Sequence, residues 1–449
     1  MNTITIDCGA SFIKGAFFSD GVIQKKIQRH APKVHIDTDI YSPVLIKGLL
    51  TMVREMILEL GKDEKEVCLC ISNEMHGFLL ADENGVPLTD YISWQKEFGA
   101  LEINGISAVQ ILKQPELSRE MLYTGMPLRN GLPSCNLLYL HMKGSIHGQN
   151  GQKTMFYTLG DYILRALSGN DPMCHPTNAA ATGLYDIVNE KWNAKLLQVV
   201  NENRVSFLMV GEEAIDFTLE NIRVHAYPAI GDQQAALLGS GLEEEDTLSF
   251  NLGTGAQVSK LTEKPDYCRE YQIRPYFQEK YLKTVPHIPS GRALNVYFRF
   301  VKDLLEKFQV KFSDEDIWSM FLEQTALGNE SSLICDLSFF DNAVTGIGKG
   351  AIKNIGEFDL NIRNLMTSVM NTMVQNFIVC AKRIEEREES VKHIIFSGGI
   401  ARRFEILRRQ IMTHYPYADK VDIAENETLV GLYRYGRMLS ERNYHGEKC

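Results

Sequence analysis

The nine residues Thr3-Ile4-Thr5-Ile6-Asp7-Cys8-Gly9-Ala10-Ser11 return, position by position, as Thr247-Leu248-Ser249-Phe250-Asn251-Leu252-Gly253-Thr254-Gly255, at an offset of 247 − 3 = 244. Each copy alternates with a strand's period of two, breaks at a glycine, and resumes as a second strand (Ile13 to Phe18; Ala256 to Leu261). If the match is not chance, the chain folds as two related halves, each opening with the same hairpin. Backbone amides crowd at a tight glycine turn, and such a tip can hold phosphate oxygens. Two tips facing each other across a cleft would suit a nucleoside triphosphate.

Between the copies lies Pro228-Ala229-Ile230-Gly231-Asp232-Gln233-Gln234-Ala235-Ala236-Leu237-Leu238-Gly239-Ser240-Gly241, followed by the acidic run Glu243 to Asp246 that joins the halves. The stretch reads as a segment turning at Gly231 into a short helix of small residues. Ala235, Ala236 and Gly239 would let that helix pack very close to a neighbour. Asp232 falls at the helix N-terminus, where free amides and the macrodipole favour a carboxylate. An ordinary N-cap would occupy the same place.

With 449 residues, 44% of them apolar, the chain suits two domains better than one. A net charge of −10 repels nucleic acid and anionic membranes, so neither is an expected partner. Nine cysteines without Cys-x-x-Cys or Cys/His ligand spacing suggest reduced, buried thiols in a cytoplasmic protein. The chain starts directly on a strand pattern rather than a secretory signal, and no apolar run approaches the length of a membrane helix.

Helical periodicity from Pro43 to Leu60 precedes a strand, Val67 to Ser72, and the break Asn73-Glu74-Met75-His76-Gly77. Polar residues at a strand end beside glycine are where α/β proteins place ligand contacts. Glu74 and His76 could hydrogen-bond sugar hydroxyls, although a satisfied loop histidine looks the same. Trp94-Gln95, after a short strand at Asp90 to Ser93, would suit a sugar's apolar face and hydroxyls, or mere packing. In the second half, Ser290-Gly291-Arg292-Ala293-Leu294-Asn295 opens a helix toward Phe308, and a long helix spans Leu360 to Glu386. A buried strand, Val391 to Phe396, leads through Ser397-Gly398-Gly399 into a helix with Phe404, Leu407 and Ile411 inward. The Gly-Gly turn would let a flat adenine ring approach the backbone, as would any tight turn its neighbours. The chain closes with a strand at Val421 to Ala424 and a helix from Glu427.

Five stretches together resemble the FGGY carbohydrate kinases: Ile6 to Lys14, Asn73 to Gly77, Gly231 to Ala235, Leu252 to Gly255 and Ser397 to Gly399. The resemblance runs from about Ile4 to Gly436 and is weakest over Glu97 to Tyr123 and Asp303 to Gly350. The Met-His-Gly and Gly-Asp stretches discriminate, whereas the glycine motifs are shared with the wider actin-like ATP-binding superfamily. Tyr157 to Tyr162, His175 to Ala180 and Pro127-Leu128-Arg129 look most like the sedoheptulokinase branch.

The resemblance implies an α/β fold of two ribonuclease H-like (actin-like ATPase) domains flanking an active-site cleft. Residues 1–242 would hold the sugar and the base, and residues 247–449 the ATP. Asp232 would be the general base, kept ionised and therefore modest by its helix N-terminus. Asp7 would hold Mg²⁺ through water. Gly9, Ser11, Lys14, Gly253, Thr254 and Gly255 would face the phosphates, and Gly291, Asn295, Gly398 and Gly399 the nucleoside. Glu74, Met75, His76 and Trp94 would hold the sugar. Three departures fall in or near the site. Ala10-Ser11 replaces Thr-Thr, Lys96-Glu97-Phe98 replaces a segment with Asp and Arg, and Glu74 stands where Gln is commoner. The implied activity is phosphorylation by ATP of a sugar, a ketose such as sedoheptulose. Self-association as a homodimer stays open. The rivals are a non-catalytic sugar- or nucleotide-sensing protein on the same scaffold and an actin-like ATPase. A Rossmann dehydrogenase fits poorly, because Gly239-Ser240-Gly241 ends a helix where that fingerprint begins one.

Overall fold

The computed structural model describes residues 2–32, 44–146, 153–265, 267, 270–326, 330–346, 348–385, 387–421 and 425–446. Thr3–Cys8 pairs antiparallel with Phe12–Ser19, which pairs with Val22–His30, while on its other side Thr3–Cys8 runs parallel to Glu66–Asn73. Beyond Glu66–Asn73 come Ile222–Ala226, parallel, and Ile215–Leu219, and the two-residue strand Ile230–Gly231 also pairs with Glu66–Asn73. The second sheet repeats this order. Thr247–Asn251 lies between antiparallel Gln257–Thr262 and parallel His393–Ser397, flanked by Tyr281–Pro286, Gln272–Pro275 and Asp419–Val421. Registers match too: Asp7 sits opposite Ser72, and Asn251, its counterpart 244 positions on, sits opposite Ser397. The nine-residue repeat is thus the visible part of a duplicated fold.

Strand alternation assigns the layers. Ile4, Ile6, Leu69 and Ile71 face a core with Val53, Met56 and Ile57 of the helix Val44–Leu60. Cys68 and Cys70 face the other way, into a core that also holds Leu261, Leu282 and Ile395 of the second sheet. Two helices fill that shared layer: Asp232–Ser240 and the last helix, Glu427–Gly446. Their approach is as close as the small residues suggested. A Cβ on Gly239 would lie 1.7 Å from the Glu427 carbonyl oxygen, and one on Gly431 1.8 Å from that of Ala235. A smaller third body, built on strands Leu79–Asp82, Thr154–Tyr157 and Val205–Phe207, has its own core around Phe78, Leu137 and Phe156.

Several elements differ from expectation. Asp90 to Ser93 is no strand, because the Asp90 carboxylate instead takes the amides of Ile46 and Tyr91, leaving one bridge at Ile92. The helix after Gly398 is interrupted at Phe404, which is buried, and continues as Glu405–Met412. The long helix is Ile362–Ala381. Pro43, Glu386 and positions 422–424 lie outside the described residues. The described cysteines are unbonded and buried, and among the described residues no helix is long and apolar enough to cross a membrane.

Candidate active site

Parallel register brings three chain segments to one edge of the first sheet. Cys8 and Gly231 both lie opposite Asn73, so Gly9, Glu74 and Asp232 leave their strands at one level. In open α/β sheets, ligands gather at such carboxyl ends. The Gly231 turn is held from below. Its amide donates to the Thr177 hydroxyl at 3.1 Å, and the Asn178 side chain donates to the Ala229 carbonyl (2.8 Å) and to Asn73 (2.9 Å). The short helix Pro176–Ala180 is therefore core beneath the turn. Gly231 is the N-cap and Asp232 the first helical residue, with Oδ1 accepting the Gln233 amide at 2.8 Å.

Three carboxyl groups converge here. Asp7 accepts the Ser72 hydroxyl at 2.9 Å, and burial raises its pKa, opposed by Ser72 and the Lys14 ammonium. Burial likewise raises Glu74, with the Tyr91 hydroxyl and Trp94 indole lying against its carboxylate and offsetting part of the rise. Asp232 is pushed up to about 7, first by burial and then by Asp7, with Glu74 adding and the Gln233 amide and Arg274 opposing. This corrects the expectation of a carboxylate kept ionised by its helix. Removing the charge from water beside two like charges outweighs one favourable turn of amides.

His76 stands in the left-handed backbone region (φ +66°) with Nδ1 donating to the Ala181 carbonyl at 2.7 Å. Nε2 is therefore an acceptor. Burial, followed by Arg274 and Arg129, pushes this imidazole down to about 3, so it stays neutral. His76 and the half-exposed Trp94 line a cleft of about 830 Å³. Its other wall comes from the second half, through Tyr271, Gln272, His287 and Arg292. Met75 is buried beneath the site, its sulfur 2.3 Å from where a Gly231 Cβ would stand, so it backs the turn.

The second half assembles its glycines in the same way. The Gly291 amide donates to the Gly253 carbonyl at 3.2 Å, and Leu252 and Ser397 are joined at 2.8 Å. Gly398 has φ +90°, and a Cβ there would lie 2.6 Å from the Leu252 carbonyl oxygen, so no other residue fits without displacing the loop. Thr254, Gly255 and Asn295 are exposed around this cradle, and Ser11 is exposed at the first tip. Gly398 and Gly399 share a pocket of about 330 Å³ with Asp7 and Lys14. The phosphate-facing candidates of one half thus meet the nucleoside-facing candidates of the other.

Sequence reasoning did not find the guanidiniums. Arg274, on Gln272–Pro275, is buried between Gln272 (Nε to Oε1, 3.0 Å) and the Gln233 side chain. Arg129, noticed only within Pro127-Leu128-Arg129, reaches His287 from the opposite half at 2.6 Å. Alternation along 271–277 carried no signal for a buried arginine, since that pattern normally turns charge to solvent.

Residues 2–239 match the model of the FGGY family of carbohydrate kinases, N-terminal domain. The chain is 26% identical over 275 residues to a glycerol kinase of Rhizobium meliloti (strain 1021), covering 56% of this chain and 52% of that one. It is 24% identical over 243 residues to a xylulose kinase of Staphylococcus xylosus, covering 50% and 48%. The chain therefore spans about half the length of these curated relatives. Among solved structures, a ligand-bound xylulose kinase from Lactobacillus acidophilus superposes with a TM-score of 0.80 at 17% identity, covering 98% of this chain and 90% of that one. Plasmodium falciparum glycerol kinase with ADP superposes at 0.72 and 17%, covering 96% and 88%. At these identities the superpositions establish a shared fold.

Proposed function

The chain belongs to the FGGY family of carbohydrate kinases, and from that premise we propose that it transfers the γ-phosphoryl group of ATP to a sugar hydroxyl, with Asp232 as general base. The observation that carries the reading is the setting of Asp232. It is a half-buried carboxylate at a first helical position, within the fields of Asp7 and of Arg274.

In the proposed step the acceptor oxygen bonds to the γ-phosphorus while the bond to the β,γ-bridging oxygen breaks and ADP leaves. The hydroxyl proton passes to Asp232 Oδ2, since Oδ1 is engaged by the Gln233 amide. A pKa of about 7 matches a base working at neutral pH better than an ordinary aspartate would. With a loose transition state, positioning supplies much of the rate. His76 Nε2 and Glu74 would orient hydroxyls, and Trp94 would cover the sugar's apolar face. Gly291, Asn295, Gly398 and Gly399 would hold the nucleoside, with Gly9, Ser11, Lys14, Gly253, Thr254 and Gly255 on the phosphates.

The donor set also fits Mg²⁺. Among the described residues no three His, Cys, Asp or Glu side chains are grouped to cage an ion. The repulsion between Asp7, Glu74 and Asp232 leaves negative charge that a hydrated cation at Asp7 would relieve. Bound there through water, Mg²⁺ would neutralise charge on the phosphates.

The working halves are residues 1–242 and 247–449, with the last helix packed between them. The motifs that look like sedoheptulokinases make a ketose such as sedoheptulose the first acceptor to test, in a cytoplasmic protein, as a monomer or a homodimer. ADP formation across ketoses and polyols, with and without Mg²⁺, tests the reading. Turnover should need an acceptor, and Asp232→Ala should lower it by about 10²- to 10⁴-fold while ADP still binds. Near-normal turnover in that variant, or an ATPase rate indifferent to every acceptor, overturns it.

A further inference from the structure

The cleft that His76 and Trp94 line also carries Arg129, His287 and Arg292. At the transfer end stand Asp7, Glu74 and Asp232. Arg274 reaches Asp232 electrostatically, whereas Arg129 and Arg292 make no ion pair among the described residues. Among the described residues, the Arg129 side chain makes its only hydrogen bond to His287 Nε2, and burial lowers its pKa. Arg274 is buried, and among the described residues its side chain hydrogen-bonds only glutamine side chains; burial and Arg129 push it down to about 9 against the pull of Asp232. Arg292 lies over the Phe340 ring at 4.2 Å and lines the same cleft. Burial, with these three guanidiniums, pushes His287 down to about 4. Because His287 Nε2 accepts from Arg129, its Nδ1 carries the proton and is a further donor.

A guanidinium cannot shed its proton to escape burial as a lysine can, so two of them near each other require compensation. Glu97, Glu270 and Asp341 also line the cleft, but none hydrogen-bonds Arg129. A neutral sugar would leave that charge unmatched. A planar fork of donors is well suited to a carboxylate or phosphate group.

We infer that the acceptor carries an anionic group, a carboxylate or a phosphate monoester, at the end away from the reacting hydroxyl, and that Arg129 and Arg292 recognise it. The inference rests on the cleft being the acceptor site.

The test compares matched pairs that differ in charge, by calorimetry and thermal shift with ADP present: gluconate against glucitol, and fructose 6-phosphate against fructose, beside sedoheptulose. At least one anionic member should bind about 10-fold or more tightly than its neutral partner, and less so as salt is raised. The two pairs separate carboxylate from phosphate ester. Arg129→Gln should weaken the preferred anion by about 10- to 100-fold and the neutral ligands hardly at all, with Arg129→Lys intermediate. If Arg129→Gln does not fold, the matched pairs on the unaltered protein decide. Phosphorylation of sedoheptulose with no preference for any anionic ligand ends this inference and leaves the kinase reading standing. Tight anion binding without phosphoryl transfer to any acceptor does the reverse.

Discussion

Replacing Asp232 by Asn removes one charge from a group of three buried or half-buried carboxyl groups, yet keeps an oxygen to accept the Gln233 amide at 2.8 Å. The variant should lose turnover and gain stability, and the gain should grow with pH. The carboxyl titrates at 3.8 as a free group and at about 7 in the fold. Between those values the unfolded chain has released a proton that the folded chain still holds. Stability therefore falls as pH rises from about 4 to about 7 and is flat above that. At about 1.4 kcal/mol per unit, the full penalty is about 4 kcal/mol near pH 8, against about 1.5 kcal/mol near pH 5. Asp232 keeps some solvent access, and Asp7 and Glu74 readjust once it is neutral. The difference in stabilisation between the two pH values should therefore be about 1–2 kcal/mol. Denaturant titrations of both proteins at each pH, followed by tryptophan fluorescence, measure it. In parallel, the unaltered protein's kcat/KM should fall below about pH 7, as the base becomes protonated. An Asn variant stabilised no more at pH 8 than at pH 5 would refute the idea that Asp232 ionises against burial and its neighbours.

Other expectations follow from single contacts. Gly398→Ala forces a Cβ to 2.6 Å from the Leu252 oxygen at φ +90°, so ADP affinity by calorimetry should drop about 10-fold or more while sugar binding persists. Gly431→Val pushes the last helix off Asp232–Ser240, where 1.8 Å separates a Cβ from the Ala235 oxygen. It should cost more than about 3 kcal/mol in denaturant titrations, because the obstruction is backbone that cannot turn aside. Trp94→Ala, at a half-exposed cleft residue, should raise KM for the acceptor by about 10-fold and leave the melting temperature nearly unchanged.

The architecture was legible because it rests on local rules repeated twice. Alternation named Thr3–Cys8 and Thr247–Asn251 as strands, glycines marked the turns after them, and the 244-residue offset announced two related sheets. Ala235 and Gly239 announced a closely packed helix, though not that its neighbour would be the last helix, lying between the sheets. Gly9, Gly253 and Gly398 could be named as candidates for the same reason, since a backbone that must turn tightly restricts its residue.

Electrostatics was legible only in the fold. Asp232 could be placed at a helix start by sequence, but its proton affinity depends on Asp7 and Glu74, which are distant in the chain and adjacent in space. Alternation can say which residues share a face of Gln272–Pro275, not that another half of the molecule covers that face, and so it missed Arg274. Arg129 and His287 meet across 158 positions for the same reason. Short-range sterics are written residue by residue into a chain. Burial and Coulomb energy are sums over neighbours, and here the pairing of two sheets chose the neighbours.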